Sequence, residues 1–381
     1  MEIGRLTNNF QRMGKDLKEV ALLFFKLGSI AFGGPAAHIA MMEDEVVKKR
    51  KWMTHQHFLD LVGATNLIPG PNSTEMTMHC GHERAGWKGL IVAGACFVFP
   101  AVVITMVFAW LYQQYGQLPK VEPFIYGIKP AVIAIILGAV YRLGKKALKN
   151  VAVGILGALT LIACLLGVHE ILALFTCGFL GLAWHFIRNS KNNLNSFTPL
   201  VLLQVTASAS TLKILWTFFK VGALLYGSGY VLFAYLDAEL VSTGLLTRQQ
   251  LIDAVAVGQF TPGPVLSTAT FIGWQLNGFW GAIAATVGIF FPSFIFVAIL
   301  NPLIPKMRKS KVIASFLDAV NIAAVAVIVA VCVEMGKDTL TDWRTILIAI
   351  ISLIAVFVFK KMNSAFIVIG GAFIGYILTL I

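Results

Sequence analysis

Apolar and polar positions alternate along this chain on the scale of whole helices. Ten stretches, approximately 20–42, 87–111, 123–144, 147–167, 170–187, 212–236, 279–300, 314–335, 345–359 and 362–381, are apolar over nearly the length needed to cross a bilayer core, which takes roughly 20 residues. Ahead of them, Leu6, Phe10, Met13 and Leu17 recur at helical spacing with Arg5, Arg12, Lys15 and Lys18 between them, which predicts an interfacial amphipathic helix over 1–19. No small-residue cleavage site follows it, so it does not read as a cleavable signal. Two segments, 54–86 and 247–278, are too polar and interrupted for a span and too apolar for a loop. Each reads as helix, Pro-Gly-Pro, helix, the pattern of a re-entrant hairpin sheltered inside protein.

The two odd segments belong to an internal repeat. Phe24-Phe25-Lys26-x-Gly28 matches Phe218-Phe219-Lys220-x-Gly222, Gly33 matches Gly227, and Glu45 matches Glu239. With one residue dropped, Asp60 matches Asp253, and Pro69-Gly70-Pro71 matches Pro262-Gly263-Pro264. With another dropped, Gly81, Gly86, Gly89 and Pro100 match Gly273, Gly278, Gly281 and Pro292. The expected organisation is an interfacial helix (1–19), a first repeat (20–190), a linker (191–211) and a second repeat (212–381). Five spans per half is an odd number, so the second copy is expected upside down relative to the first. The predicted fold is therefore an all-α integral membrane protein, an inverted-topology repeat of about 5+5 transmembrane helices with a re-entrant hairpin in each half. Lys and Arg are denser in the loops that an external N-terminus places inside, which favours both termini outside.

Composition closes off other classes. With 58% hydrophobic and 13% charged residues, the chain has too little polar surface to coat a soluble particle. Its net charge of +12 sits in short basic runs between apolar stretches, the distribution of membrane-protein loops, so no nucleic-acid partner is indicated. The five cysteines are scattered, without a Cys-x-x-Cys. His79-x-x-His82-Glu83 lacks a further ligand, so neither a metal nor a cofactor is assigned. Without a nucleophile constellation or phosphate loop, an enzyme is not expected.

The chemistry that remains suits an anion. A helix starting after Pro-Gly-Pro inside the membrane presents free amides and the positive end of its dipole, around Ser73, Thr74 and Glu75 in one half and Leu266, Ser267 and Thr268 in the other. Lys26 and Lys220, at matched intramembrane positions, are expected to supply countercharge, since a lysine in a span is tolerated where it faces a cavity or partner. Gly33-Gly34-Pro35 and Gly227-Ser228-Gly229 interrupt spans and would expose backbone to substrate. The expected substrate contacts are thus Lys26, Gly33, Gly34, Pro35, Pro69, Gly70, Pro71, Ser73, Thr74, Lys220, Pro262, Gly263, Pro264, Ser267 and Thr268. His38, Asp60, Glu75 and Asp253 are the candidate proton-coupling groups.

Phe32-Gly33-Gly34-Pro35-Ala36-Ala37-His38, then Glu45, the basic run Lys48 to Lys51 with Trp52, and Leu67-Ile68-Pro69-Gly70-Pro71 resemble the chromate ion transporter family. The resemblance covers roughly 20–110 and 214–305. It implies export of chromate from the cytoplasm across the cell membrane, with sulfate as chemical analogue and the proton motive force as driver. Electrostatics favours that direction: a dianion leaving a negative interior gains about 2.3 kcal/mol per charge per 100 mV. The alternatives are uptake or exchange of sulfate or another small anion, or an anion channel. Partners are the anion and the bilayer, and a homodimer is a compatible assembly.

Overall fold

The computed structural model describes residues 2–32, 34–116, 118, 121–188, 210–226, 229–300, 310–359 and 362–380. The described residues are helical, without strands. In the first half, α1 (Glu2–Ile30) is followed by α2 (Pro35–Met42), which runs on as a π-helical segment (Glu43–Lys49). Then come α3 (His55–Thr65), α4 (Asn72–Tyr115), α5 (Glu122–Ala147), α6 (Val151–Leu165) and α7 (Glu170–Arg188). The second half repeats this order. It contains α8 (Thr211–Leu224), α9 (Val231–Leu236) with a π-helical segment (Asp237–Val241), α10 (Arg248–Phe260), a 3-10 turn (Val265–Ser267) and α11 (Thr268–Leu300). It ends with α12 (Lys311–Thr339), α13 (Trp343–Val358) and α14 (Ser364–Thr379).

Local chemistry sets matched boundaries. Thr54 Oγ1 accepts from His57 N–H at 3.2 Å and Thr247 Oγ1 from Gln250 N–H at 3.2 Å, so α3 and α10 begin on the same cap. Asn150 caps α6 and Asp342 caps α13, accepting from Val153 and Thr345 N–H at 3.0 and 2.8 Å. The amphipathic segment expected over 1–19 and the start of the span expected from 20 form one unbroken helix, and the break comes only after Ile30.

The two longest helices are each folded back. Ala85 and Gly86 (φ 60°) leave helical geometry inside α4, as do Asn277 and Gly278 (φ 54°) inside α11. Thr270 and Thr286 would lie about 24 Å apart along a straight helix, yet their hydroxyls are 2.8 Å apart. Glycine is required where the limbs meet: a Cβ on Gly81 would overlap the Gly89 carbonyl, and one on Gly273 the Gly281 carbonyl. By length and composition, four helical stretches could cross a membrane: Asn72–Tyr115, Glu122–Ala147, Val265–Ile299 and Val312–Thr339. The spans expected near 147–167, 345–359 and 362–381 are apolar helices of only 15 or 16 residues.

The halves interlock. α5 lies against α13 and α14 of the second half, α12 lies against α6 and α7 of the first, and α4 meets α11 at the centre. Small residues bring these helices together, as van der Waals contact between membrane helices demands; Gly127 of α5 abuts the backbone of Gly371 and Gly375 in α14. Leu22, Trp280, Phe366 and other large apolar side chains point outward, a surface suited to lipid.

Candidate functional site

Both halves unwind where α1 and α8 stop. Ala31 and Phe32 leave the helix and Gly34 (φ 81°) starts α2 with Pro35 at its first turn, while Leu225 and Tyr226 leave α8. Gly33, Gly227 and Ser228 lie outside the described residues. Unwinding leaves carbonyls without their helical donors, and each is taken by the opposite half. Gly70 N–H donates to Leu225 O at 2.7 Å, and Gly263 N–H donates to Ala31 O at 2.8 Å. Gly70 and Gly263 are matched positions, as are Leu225 and Ala31, so the two Pro-Gly-Pro loops are clasped reciprocally. Positive φ values, 141° at Gly70 and 90° at Gly263, make glycine necessary for this approach.

The helix starts are narrower anion sites than the sequence predicts. Pro71 and Pro264 sit at the caps, not at the first helical position. Pro71 O already accepts Thr74 N–H at 2.8 Å and Glu75 N–H at 3.0 Å, and Pro264 O accepts Ser267 N–H at 2.9 Å, because the chain tightens immediately after each proline. The amides expected to be open at Thr74, Glu75 and Ser267 are therefore used locally. Ser73, Thr74, Ser267 and Thr268 are all buried, and Thr268 Oγ1 donates to Val265 O at 2.8 Å.

Lys26 and Lys220 each pair with a glutamate at the matched position. Lys26 Nζ lies 3.7 Å from Glu45, and Lys220 Nζ 2.6 Å from Glu239. Both glutamates belong to the π-helical segments, so each lysine ties a broken helix to its continuation. Glu45 also binds Lys49 at 3.1 Å and Arg50. Burial works to raise its carboxyl, and Arg50 and Lys49 outweigh that and hold it below the ordinary value. The sequence carried this signal, since lysine and glutamate recur 19 residues apart in both halves.

The titratable candidates do not converge. His38 Nε2 lies 3.1 Å from Ala31 O, the carbonyl that also receives Gly263 N–H, with its ring against Phe97. Glu75 is fully buried beside Gly70 and Ser293, and a Cβ on Gly70 would overlap both side chains. Asp253 accepts from Tyr112 Oη at 2.6 Å and lies 3.6 Å from Lys129 Nζ. Asp60 lies on the opposite half's matched helix, with Gln56 Nε2 3.5 Å from it.

A cavity of about 610 Å³ lies beside the two helix breaks, a volume ordinary for a small-molecule site. Of the expected substrate contacts among the described residues, Gly34 and Pro35 line it, and the lysines, the Pro-Gly-Pro loops and the buried hydroxyls do not. Gly34 and Pro35 of the first break and Gly229 and Tyr230 of the second form part of its wall, with Asn66 and Asn72 from either side of the first Pro-Gly-Pro. Arg142, Lys145 and Lys146 from the end of α5 and Lys149 just beyond it line the cavity, with Asp318 of α12 as its carboxylate. Sequence reasoning passed over these four cations as a basic loop between spans. No cluster of His, Cys, Asp and Glu suited to a metal occurs among the described residues.

A duplicated helical unit with apolar spans, clasped around a cavity, defines a multi-pass membrane protein. The chain belongs to the chromate transporter family, whose description, Chromate transporter, matches residues 18–182 and again 212–376. It is 32% identical over 95% of both chains to a probable chromate transport protein of Synechococcus elongatus. It is 30% identical to a chromate transport protein of Cupriavidus metallidurans, over 95% of this chain and 93% of that one. An uncharacterized transporter of Methanocaldococcus jannaschii is 26% identical over 98% of both. No solved structure matches significantly.

Proposed function

We propose that this protein is a secondary carrier that exports chromate, a tetrahedral dianion, from the cytoplasm across the cell membrane, coupled to the proton motive force. The observation that carries this reading is the cavity reaching both helix breaks and faced by four cations against one carboxylate. Such a cleft concentrates anions by its field. Family membership supports chromate as the anion. The matched element order, the odd number of spans read from hydropathy and the reciprocal clasp support two inverted halves of about five spans, each with a re-entrant Pro-Gly-Pro hairpin, that rock about a central site. In that motion Gly34, Pro35, Asn66 and Asn72 border the path of the anion. Lys26 and Lys220 hold the broken helices to their continuations. Glu75 and Asp253, buried carboxyls in the two halves, are the groups whose proton exchange is coupled to the anion.

Inside-out vesicles containing the protein should accumulate chromate, and collapsing the proton gradient should abolish the uptake. Uptake that persists at full rate without the gradient removes the coupling, and current at open-channel rates makes the protein a channel. Sulfate has the same charge and shape, so it should compete; stronger transport of sulfate than chromate makes sulfate the substrate.

A further inference from the structure

The last turns of α5 and α12 are one structure written with different charges. Leu148 N–H donates to Gly144 O at 2.9 Å to close α5, and Leu340 N–H donates to Gly336 O at 2.8 Å to close α12. The next helices start on Asn150 and Asp342, so one register runs through both turns. In that register Arg142 corresponds to Glu334, Lys145 to Lys337 and Lys146 to Asp338. Cations in a final turn ordinarily serve the helix dipole. Were that their whole purpose here, α12 would be as basic, yet of the three matched positions it keeps a cation only at Lys337. It carries two carboxylates, and they are engaged: Arg248 of α10 lies 3.5 Å from Glu334 and 3.3 Å from Asp338, and Lys337 lies 2.7 Å from Glu334.

The α5 turn is arranged for something outside the chain. Arg142, Lys145 and Lys146 make no ion pair among the described residues, whereas their neighbour Lys149 is held by Asp318 at 2.6 Å. All three are exposed and line the cavity, as does Tyr230, which bounds the second helix break. A guanidinium presents two parallel donors matched to an oxyanion edge, while an ammonium acts as a point charge.

We propose that Arg142 is the residue that binds the incoming oxyanion, with Lys145 and Lys146 as the field that draws it in, and that the matched acidic turn of α12 marks the side from which the anion leaves. Binding by Arg142 rests on the oxyanion-carrier reading, and the assignment of sides rests in addition on the inverted repeat. Capture is thereby confined to one turn of one half, which the repeat alone would not do.

The test uses purified full-length protein in sided vesicles, with chromate as substrate and labelled sulfate as binding probe. For Arg142→Gln the KM for chromate should rise about tenfold or more, the loss of a charge-assisted bond, with the maximal rate retained, and Arg142→Lys should recover part of it. Arg142→Gln/Lys145→Gln/Lys146→Gln should also flatten the fall of kcat/KM with ionic strength. Lys337→Gln should leave KM unchanged. Normal KM and salt dependence in a monodisperse triple variant overturns the proposal. If wild-type vesicles move neither anion, the carrier reading fails separately, and equilibrium binding of labelled sulfate still decides: binding lost in Arg142→Gln sustains the site, while equal binding, or none by the wild type, overturns it. Equal KM from either face in the wild type removes the assignment of sides.

Discussion

The two helices leading into the Pro-Gly-Pro loops, α3 and α10, come from the same repeat and meet different neighbours. On α10, Asp253 is gripped by Tyr112 at 2.6 Å and Lys129 at 3.6 Å, and Ser364 of α14 donates to Gln259 O at 3.2 Å. The position matched to Lys129 is Asn321 and the one matched to Gln259 is Asn66, and both line the open cavity. The shared backbone therefore does not decide whether such a helix is packed shut or borders the cavity. A few side chains do, and on the proposed carrier reading that difference is what separates a sealed side from an open one.

The comparison breaks most completely at the clasp on which both sides depend. Gly263→Val should leave no monodisperse protein on size-exclusion chromatography, because φ is 90° there and a Cβ would lie 2.8 Å from Ala101 Cβ and 3.1 Å from Gly28 O. Next is the seal itself. Lys129→Met removes the cation beside a buried carboxylate, which should cost about 1–3 kcal/mol; thermal unfolding in detergent should show the loss and Asp253→Asn/Lys129→Met should recover most of it. A Lys129→Met midpoint equal to wild type would mean that the pair does not hold that side shut. Asn321→Lys converts the open side toward the sealed one, and chromate uptake by vesicles should fall severalfold. Unchanged uptake would separate the charge at this position from closure.

The smallest effect concerns Asn150 and Asp342, the matched caps of α6 and α13. The Thr345 amide, then the Tyr126 hydroxyl, hold the Asp342 carboxyl below its ordinary value. Its contribution to stability is thus fully present above the unfolded value, about 3.9, and is lost as pH falls through the lower folded value. Asp342→Asn should lower the melting temperature slightly at pH 7 and reduce its further drop on acidification below about pH 4. Identical acid profiles would assign that drop to other carboxyls.

Much of the fold was legible because its tightest contacts demand particular residues. Gly28 and Gly222 recur since a side chain on either would overlap a backbone carbonyl, of Phe97 or Ile289. The breaks, the Pro-Gly-Pro loops and most helix ranges follow from such positions. The clasp was not legible, because backbone donors and acceptors leave no mark on residue identity. The ion pairs of the lysines were missed for another reason: charge in a span signals a partner, and Glu45 and Glu239 stood at matched positions without being read as that partner. Arg142 was hidden by its location, since a basic helix end reads the same whether it faces solvent or a cavity.

The reciprocal bonds of Gly70 with Leu225 and Gly263 with Ala31 also bear on how the protein is made. Synthesis delivers the first half alone, and until the second arrives the Gly70 amide lacks the Leu225 carbonyl, while Ala31 O keeps only His38 of its own half. In a medium without water an unpaired amide is costly. The Gly70 loop therefore gains its bonded form only when the second half is in place beside it.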